Sequence, residues 1–279
     1  MVHRLPAAAS LAEVHVWIRQ QLAQMGQPPG TPTEAALHQA VRPCYHLEFE
    51  EVPDEQLPVA HSKFGGQPDV PPGWTWPRSP AGGPLRFLCQ LRLDQLPGRT
   101  PDDDEPPHGL LSFFWLFHPD EQLIVEWWPQ LDGLQRRPSL PPGGYAYRPR
   151  QVLARRTLSL VDLSVPSGLG GEEHDRFRGL WAQLSQSGAF EFGGVTLFGH
   201  VDRASYLSWA ESALPRELCD WTLHDPVVNL LRLWSVAHLG DDVLEDTGDN
   251  HIYTPEFILR RSDLRARHFH RAHYELSVD

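Results

Sequence analysis

The sequence predicts an α+β protein built from mostly antiparallel sheets with a few flanking helices. Short apolar runs that alternate with polar residues recur along the chain, and this period of two is typical of half-buried strands. Loops rich in proline and glycine separate these runs, whereas the apolar spacing of a helix occurs in only a few segments. With 279 residues and 41% hydrophobic composition, the chain is long and apolar enough to bury a large core.

Residues 1–43 are predicted to form a helical segment that packs on the body of the protein. Ser10 and Glu13 have the spacing of a capping box, which predicts the start of an amphipathic helix. A second box at Thr31 predicts a short helix that continues through Val41.

Residues 44–279 are predicted to form one α+β domain with many strands and few helices. In the clearest strand, alternation places Phe87 and Cys89 on one face and Gln90 on the other. The predicted strands are residues 44–52, 85–93, 110–117, 122–128, 150–163, 228–236, 252–259 and 272–278. The predicted helices of this part are residues 172–186 and 202–213.

The charge and the cysteines exclude several classes of protein. A formal net charge of -12 argues against binding to nucleic acid or to an anionic membrane, because either surface needs a basic face. Cys44, Cys89 and Cys219 lie far apart without a CxxC spacing, so neither a zinc ribbon nor a disulfide framework is expected. With no secretory signal pattern and no run of 18 apolar residues, we expect a cytoplasmic protein. We also expect no cofactor.

Residues 61–93 contain the strongest candidate site. Lys63, the only lysine of the chain, stands just before Gly65 and Gly66, so its ammonium group could lie over a backbone concavity that suits a carboxylate or phosphate. The alternative is an ordinary loop lysine beside glycines that need a positive φ. Trp74 and Trp76 could stack on a ligand ring, and Gln90 could line the same pocket or bond to a loop backbone.

Other reactive residue types have simpler explanations. Cys89 could be a nucleophile, but alternation predicts a buried, neutral thiol. His268, His270 and His273 could bind a metal if they lay on a strand, yet no further ligand completes the set, and no metal site is predicted. The acidic segment 97–108 is predicted to be a surface loop.

Several strings of the sequence resemble the YwqG-like bacterial proteins of unknown function. The matching strings are SKFGGQP at 62–68, WP at 76–77, PLRFLCQLRL at 84–93, GLLSFF at 109–114, LLRL at 230–233 and GD at 248–249. Arg232 and His251 depart from the pattern, since glutamine and glycine are usual there. The resemblance also exposes a possible internal duplication, in which the strand pair at 87–114 is repeated at 230–253.

We therefore expect a non-catalytic protein that binds a protein partner or a small anionic ligand. The expected ligand-binding residues are Lys63, Gly65, Gly66, Trp76, Gln90 and Asp249. The resemblance allows an accessory or immunity role in a toxin-type system.

The alternative is a hydrolase. In that interpretation Lys63 stabilises charge, while Asp249 or His251 acts as the general acid or base.

Overall fold

The computed structural model describes residues 5–6, 9–100, 103–116, 122–161, 169–190, 194–200, 227–233 and 253–278. In these residues a ten-stranded antiparallel sheet is accompanied by a two-stranded sheet and four α-helices, which confirms the predicted α+β class. No helix in this part of the chain has the length and apolar character that a membrane span requires. The predicted helix at 202–213 lies outside the described residues.

The four described helices are α1 (Leu11–Gln24), α2 (Pro32–Gln39), α3 (Gly171–Ser185) and α4 (Arg261–Ala266). Two of them, α1 and α2, begin at side-chain caps. The backbone N–H of Ser10 donates to Glu13 Oε2 at 2.7 Å and the N–H of Glu13 donates to Ser10 Oγ at 3.3 Å, which confirms the predicted capping box. The predicted extension of α2 through Val41 is wrong, because Val41 already pairs with Leu160 as the first residue of a strand.

The strands match the predicted positions closely. They are β1 (Val41–Glu51), β2 (Lys63–Phe64), β3 (Asp69–Val70), β4 (Arg86–Arg92), β5 (Leu110–Leu116), β6 (Gln122–Trp128), β7 (Gln135–Arg136), β8 (Arg150–Leu160), β9 (Val195–Gly199), β10 (Val227–Leu233), β11 (Tyr253–Arg260) and β12 (His273–Val278). The two-residue strands β2, β3 and β7 were not predicted, because such short pairings leave no alternation in the sequence. The five-residue strand β9, which follows the Gly-Gly turn at 193–194, was also not predicted.

The order of strands in the large sheet has two similar halves. The order is β12-β11-β10-β9-β1-β8-β2-β4-β5-β6, with the two longest strands, β1 and β8, at its centre. Each half continues outward from this centre through a short strand into three consecutive strands that run up and down.

The two ends of the sheet approach each other around a shared core. The Phe113 and Phe257 ring centroids are 5.7 Å apart, as are those of Trp115 and Tyr274, so β5 of one half packs against β11 and β12 of the other. We call the sheet face that lines this core the inner face and the opposite one the outer face.

A β-bulge at Leu88 changes the predicted facing of β4. Phe87 pairs with Phe114 but Cys89 pairs with Phe113, so one extra residue lies between the two pairs. Cys89 consequently belongs to the main core, whereas Phe87 packs with Trp76 on the outer face. The prediction that Phe87 and Cys89 share a face is therefore wrong.

The N-terminal helices α1 and α2 pack with α3 at one end of the central strands β1 and β8. Ile18 of α1, Leu37 of α2 and Phe177 of α3 form a second buried cluster with Leu158 of β8. This contact agrees with helices packed on the body, while the domain division at residue 43 stays a prediction.

Candidate functional site

Lys63 is completely buried at the outer face of the sheet. Strand β2 places it between β4 and β8, opposite Gln90 and Gln151. Its Nζ donates to Asp54 Oδ1 at 2.7 Å and to the backbone carbonyl of Gln67, and it lies 4.0 Å from Asp69 Oδ1. Burial lowers the pKa of Lys63, whereas the Asp69 and Asp54 carboxylates oppose that shift.

Gln90 and Arg136 complete the hydrogen bonding around Asp69. The fully buried Asp69 carboxylate accepts from Gln90 Nε2 at 2.6 Å, from the Ala60 N–H at 2.8 Å and from Arg136 Nε at 2.9 Å. Gln90 Oε1 in turn accepts from the Asp69 N–H at 2.9 Å. Gln90 therefore bonds to a loop, which was one of its two predicted roles.

We call Asp54, Lys63, Asp69, Gln90 and Arg136 the clasp. The positive charges of Lys63 and Arg136 balance the negative charges of Asp54 and Asp69. These contacts hold the segments around Asp54, Asp69 and Arg136 on the outer face of the sheet. The sequence provided no signal for Asp54, Asp69 or Arg136: the pairing of β3 with β7 brings Asp69 and Arg136 together, and Asp54 reaches Lys63 from the short turn Asp54–Gln56.

Gly65 and Gly66 have the positive φ that the sequence predicts, at 65° and 69°. Their N–H groups are already used, since that of Gly65 donates to Leu88 O at 2.8 Å and that of Gly66 to Tyr147 O at 2.9 Å. A Cβ on Gly66 would lie 2.7 Å from the Asp54 carboxyl carbon. The carboxylate that lies beside Lys63 and the two glycines is thus Asp54 of the same chain, and binding of an external anion there stays a prediction.

Trp76 is buried beside an open groove. Its Nε1 donates to Leu85 O at 2.6 Å, and its ring packs edge-on against Trp74 and Phe114. A groove of about 410 Å³ opens above these rings. We call it the outer groove; its main lining residues are Trp74, Trp76, Arg78, Arg137, Leu140 and Pro141.

Trp74 has a fixed orientation in the outer groove. Its indole Nε1 donates to both carboxylate oxygens of Glu126, at 2.9 and 3.0 Å. Burial raises the pKa of Glu126, and the Trp74 hydrogen bond partly opposes this shift. The guanidinium carbon of Arg137 lies 5.9 Å from the Trp74 ring centre, near the outer limit for a cation–π contact.

The clasp and the outer groove are joined by two consecutive arginines. Arg136 is directed to Asp69 in the clasp, whereas Arg137 is directed to the outer groove. The Arg137 N–H donates to Pro68 O at 3.0 Å, next to the β3–β7 pairing. The clasp therefore holds the segment that positions the groove arginine.

The acidic segment is not simply a solvated loop. Asp103 accepts two hydrogen bonds from Arg156, at 2.8 and 2.9 Å, and Asp104 accepts from Arg261 and Arg265 of α4. The side chains of Asp103 and Asp104 are only 9% and 7% exposed. These two aspartates of the acidic segment are therefore paired with arginines of the same chain.

The remaining candidates do not converge in the described residues. Asp249 and His251 lie outside them, so their distance to Lys63 is not defined. His268 and His273 each contact one carboxylate, at 3.4 and 3.2 Å. No set of three His, Cys, Asp or Glu side chains within the described ranges is arranged to hold a metal ion.

Cys89 lies in the main core, as alternation predicted. It is 2% exposed, and burial raises the pKa of its thiol well above the ordinary value. A thiol in this environment is protonated and therefore a poor nucleophile.

Comparison with known families gives one match. Residues 62–132 match a family described as a domain of unknown function (DUF1963). This segment contains Lys63, Asp69 and Gln90 of the clasp together with Trp74 and Glu126, but it ends before Arg136. No curated protein matches the chain.

Proposed function

We propose that this protein is a non-catalytic binding protein that holds its ligand in the outer groove. One observation supports this most strongly: Trp74 and Arg137 line an open groove, whereas the charges of the clasp pair with one another. Aromatic residues and arginine are the residue types that dominate recognition sites.

The role of Lys63 in this proposal is structural. An ammonium group that is fully buried and held by Asp54 and Gln67 has no free path to a substrate. Its contribution is to neutralise, together with Arg136, the carboxylates of Asp54 and Asp69.

The match of residues 62–132 to an uncharacterised family supports the assignment to the YwqG-like bacterial proteins. We propose this assignment from the matching strings at 62–68, 76–77, 84–93 and 109–114. An accessory or immunity role, with a basic protein partner that suits the net charge of -12, is a further candidate from that resemblance.

We also propose that the two halves of the sheet arose by duplication. Bulges occur at corresponding places, at Leu88 in β4 and at Leu230 in β10. In this register Phe198 corresponds to Gly65, and both have a positive φ, 60° and 65°.

The hydrolase alternative requires Asp249 or His251 to reach Lys63. It predicts turnover of a bound compound, whereas the binding proposal predicts saturable binding without any change in the ligand.

Thermal unfolding with a ligand panel tests the proposed function. The panel contains small carboxylates, sugar phosphates and nucleotides, and the proteins are the wild type, Trp74→Leu and Trp181→Leu. Trp181 is a suitable control because it is also half-buried and donates one indole hydrogen bond, to Val161 O at 2.8 Å.

We expect at least one compound to raise the melting temperature of the wild type and Trp181→Leu but not of Trp74→Leu. A ligand at about 100 times its Kd adds about 2.7 kcal/mol to the free energy of unfolding. An equal rise in Trp74→Leu, or chemical conversion of the compound, would contradict the proposal.

A further inference from the structure

The charges around the outer groove have one sign. Among the described residues that line it, the only charged ones are Arg78 and Arg137, although the whole chain carries a net charge of -12. The nearby Glu126 carboxylate is not part of this lining and accepts the N–H at the edge of the Trp74 indole. The groove therefore favours an anionic ligand.

Arg137 has a donor that is not used inside the protein. Its Nε atom is buried and has no hydrogen-bond partner in the described part of the chain. This Nε is closed to a ligand, but Arg137 also lines the groove, where the accessible part of its guanidinium can pair with a carboxylate through charge-assisted hydrogen bonds. Arg78 lies elsewhere on the groove lining, where its Nη1 already donates to Gly82 O at 2.7 Å.

A ring surface lies directly beside Arg137. The Trp74 ring is held on one edge by Glu126 and packs on Trp76 and Phe114, at centroid distances of 5.5 and 5.3 Å. Its orientation is therefore set before a ligand arrives. A flat ligand ring can pack on such a surface with little loss of side-chain entropy.

The size of the groove limits the ligand. A volume of about 410 Å³ lies near the lower end of the usual range for small-molecule sites. Polyphosphate sites use a glycine-rich loop at a helix N-terminus, and no described helix begins among the lining residues. A single carboxylate on a compact ring system fits these features better than a nucleotide.

We infer that the outer groove binds aromatic carboxylates, with the carboxylate paired to Arg137 and the ring packed on Trp74. This inference rests on the proposed function. The same chemistry occurs in a free aromatic acid and in the C-terminal aromatic residue of a peptide.

Isothermal titration calorimetry with acid and amide pairs tests this inference. The probes are indole-3-propionate, its primary amide, and a tripeptide that ends in tryptophan as a free acid or as an amide. The proteins are the wild type, Arg137→Gln, Arg137→Lys and Arg92→Gln. Arg92 is a control of equal charge, because it lies outside the groove lining in an ion pair with Asp94.

We expect each acid that binds to bind the wild type about tenfold or more tightly than its amide, since hydrogen bonds between charged groups are the strong ones. Arg137→Gln should remove this preference without changing the affinity for the amide, and Arg137→Lys should retain part of it. Arg92→Gln should behave like the wild type.

The two sources give separate results. Binding of indole-3-propionate alone assigns the site to a free acid, and tighter binding of the tripeptide acid assigns it to a peptide C-terminus. Equal binding of acid and amide would overturn the inference. Titration of Trp74→Leu with the same probes then tests the binding proposal, which stays intact if this variant binds neither the acid nor the amide. If no probe binds the wild type, the inference is wrong, while the separate panel still decides the proposed function.

Discussion

Replacement of Lys63 by methionine should destabilise the protein strongly. Methionine preserves most of the side-chain volume but removes the ammonium group that lies 2.7 Å from Asp54 and 4.0 Å from Asp69. Both carboxylates then depend on Arg136, which is 2.9 Å from Asp69 Oδ1 and 3.4 Å from Asp54 Oδ1. One carboxylate charge is left without compensation.

Removal of one partner from a buried ion pair costs about 3–5 kcal/mol. Asp69 is fully buried, but the Asp54 side chain is 16% exposed and can regain some hydration. We therefore expect about 3 kcal/mol, which is about 6 °C in melting temperature for a chain of this size.

Urea unfolding and calorimetry measure this loss against a matched control. Arg92→Met removes a positive charge from a pair with Asp94 whose side chains are 31% and 37% exposed. Such surface pairs contribute about 0–1 kcal/mol. Addition of Asp54→Asn to Lys63→Met restores the charge balance, so the double variant should lose less stability than the sum of the single losses.

The reasoning about the clasp is refuted if Lys63→Met is as stable as Arg92→Met. A variant of wild-type stability that no longer binds ligand would instead make Lys63 a ligand-binding residue, as the sequence first suggested.

Three further predictions concern single positions. Gly66→Ala should lower the free energy of unfolding in urea by more than about 2 kcal/mol, because the new Cβ combines a positive φ with a close carboxylate. Gly73→Ala, which has a similar φ but no atom near its Cβ, should lower it by only about 1–2 kcal/mol. His15 stacks on His38 with ring centroids 4.1 Å apart, and burial together with the His38 charge lowers the pKa of His15. The unfolded chain therefore binds more protons than the folded protein below about pH 6.5, and the free energy of unfolding should fall on acidification. The fall should be less steep in His15→Phe, and an unchanged slope would count against this pair. In a variant with Cys89 as its only cysteine, an aromatic disulfide reagent should react at the rate of unfolding, and rapid reaction of the folded protein would contradict its burial.

Local patterns in the sequence predicted most of the sheet. Alternation located β4, a strongly apolar run located β5, and the caps at Ser10 and Thr31 located two helices, because these signals act between neighbouring residues. The errors occurred where pairing partners decide the geometry. The bulge at Leu88 is one such place, since its position depends on the register with β5.

The candidate site was predicted only in part. The segment around Lys63, Trp76 and Gln90 was recognised from its residue types; Lys63 and Gln90 pair directly in the sheet, whereas Trp76 packs with Phe87 and Phe114. The sequence did not indicate that the partner of Lys63 is Asp54, or that Arg137 lines the neighbouring groove.

The sequence by itself determined the α+β class, the starts of α1, α2 and α3, the positions of the long strands and the positive φ of Gly65 and Gly66, because these depend on local propensity and spacing. Only the tertiary structure decided that Lys63 is neutralised internally and that the outer groove remains open. Arg136 and Asp54 lie 82 residues apart and meet only after the sheet has formed, so no local pattern encodes their contact. Burial and ion pairing depend on which strands become neighbours.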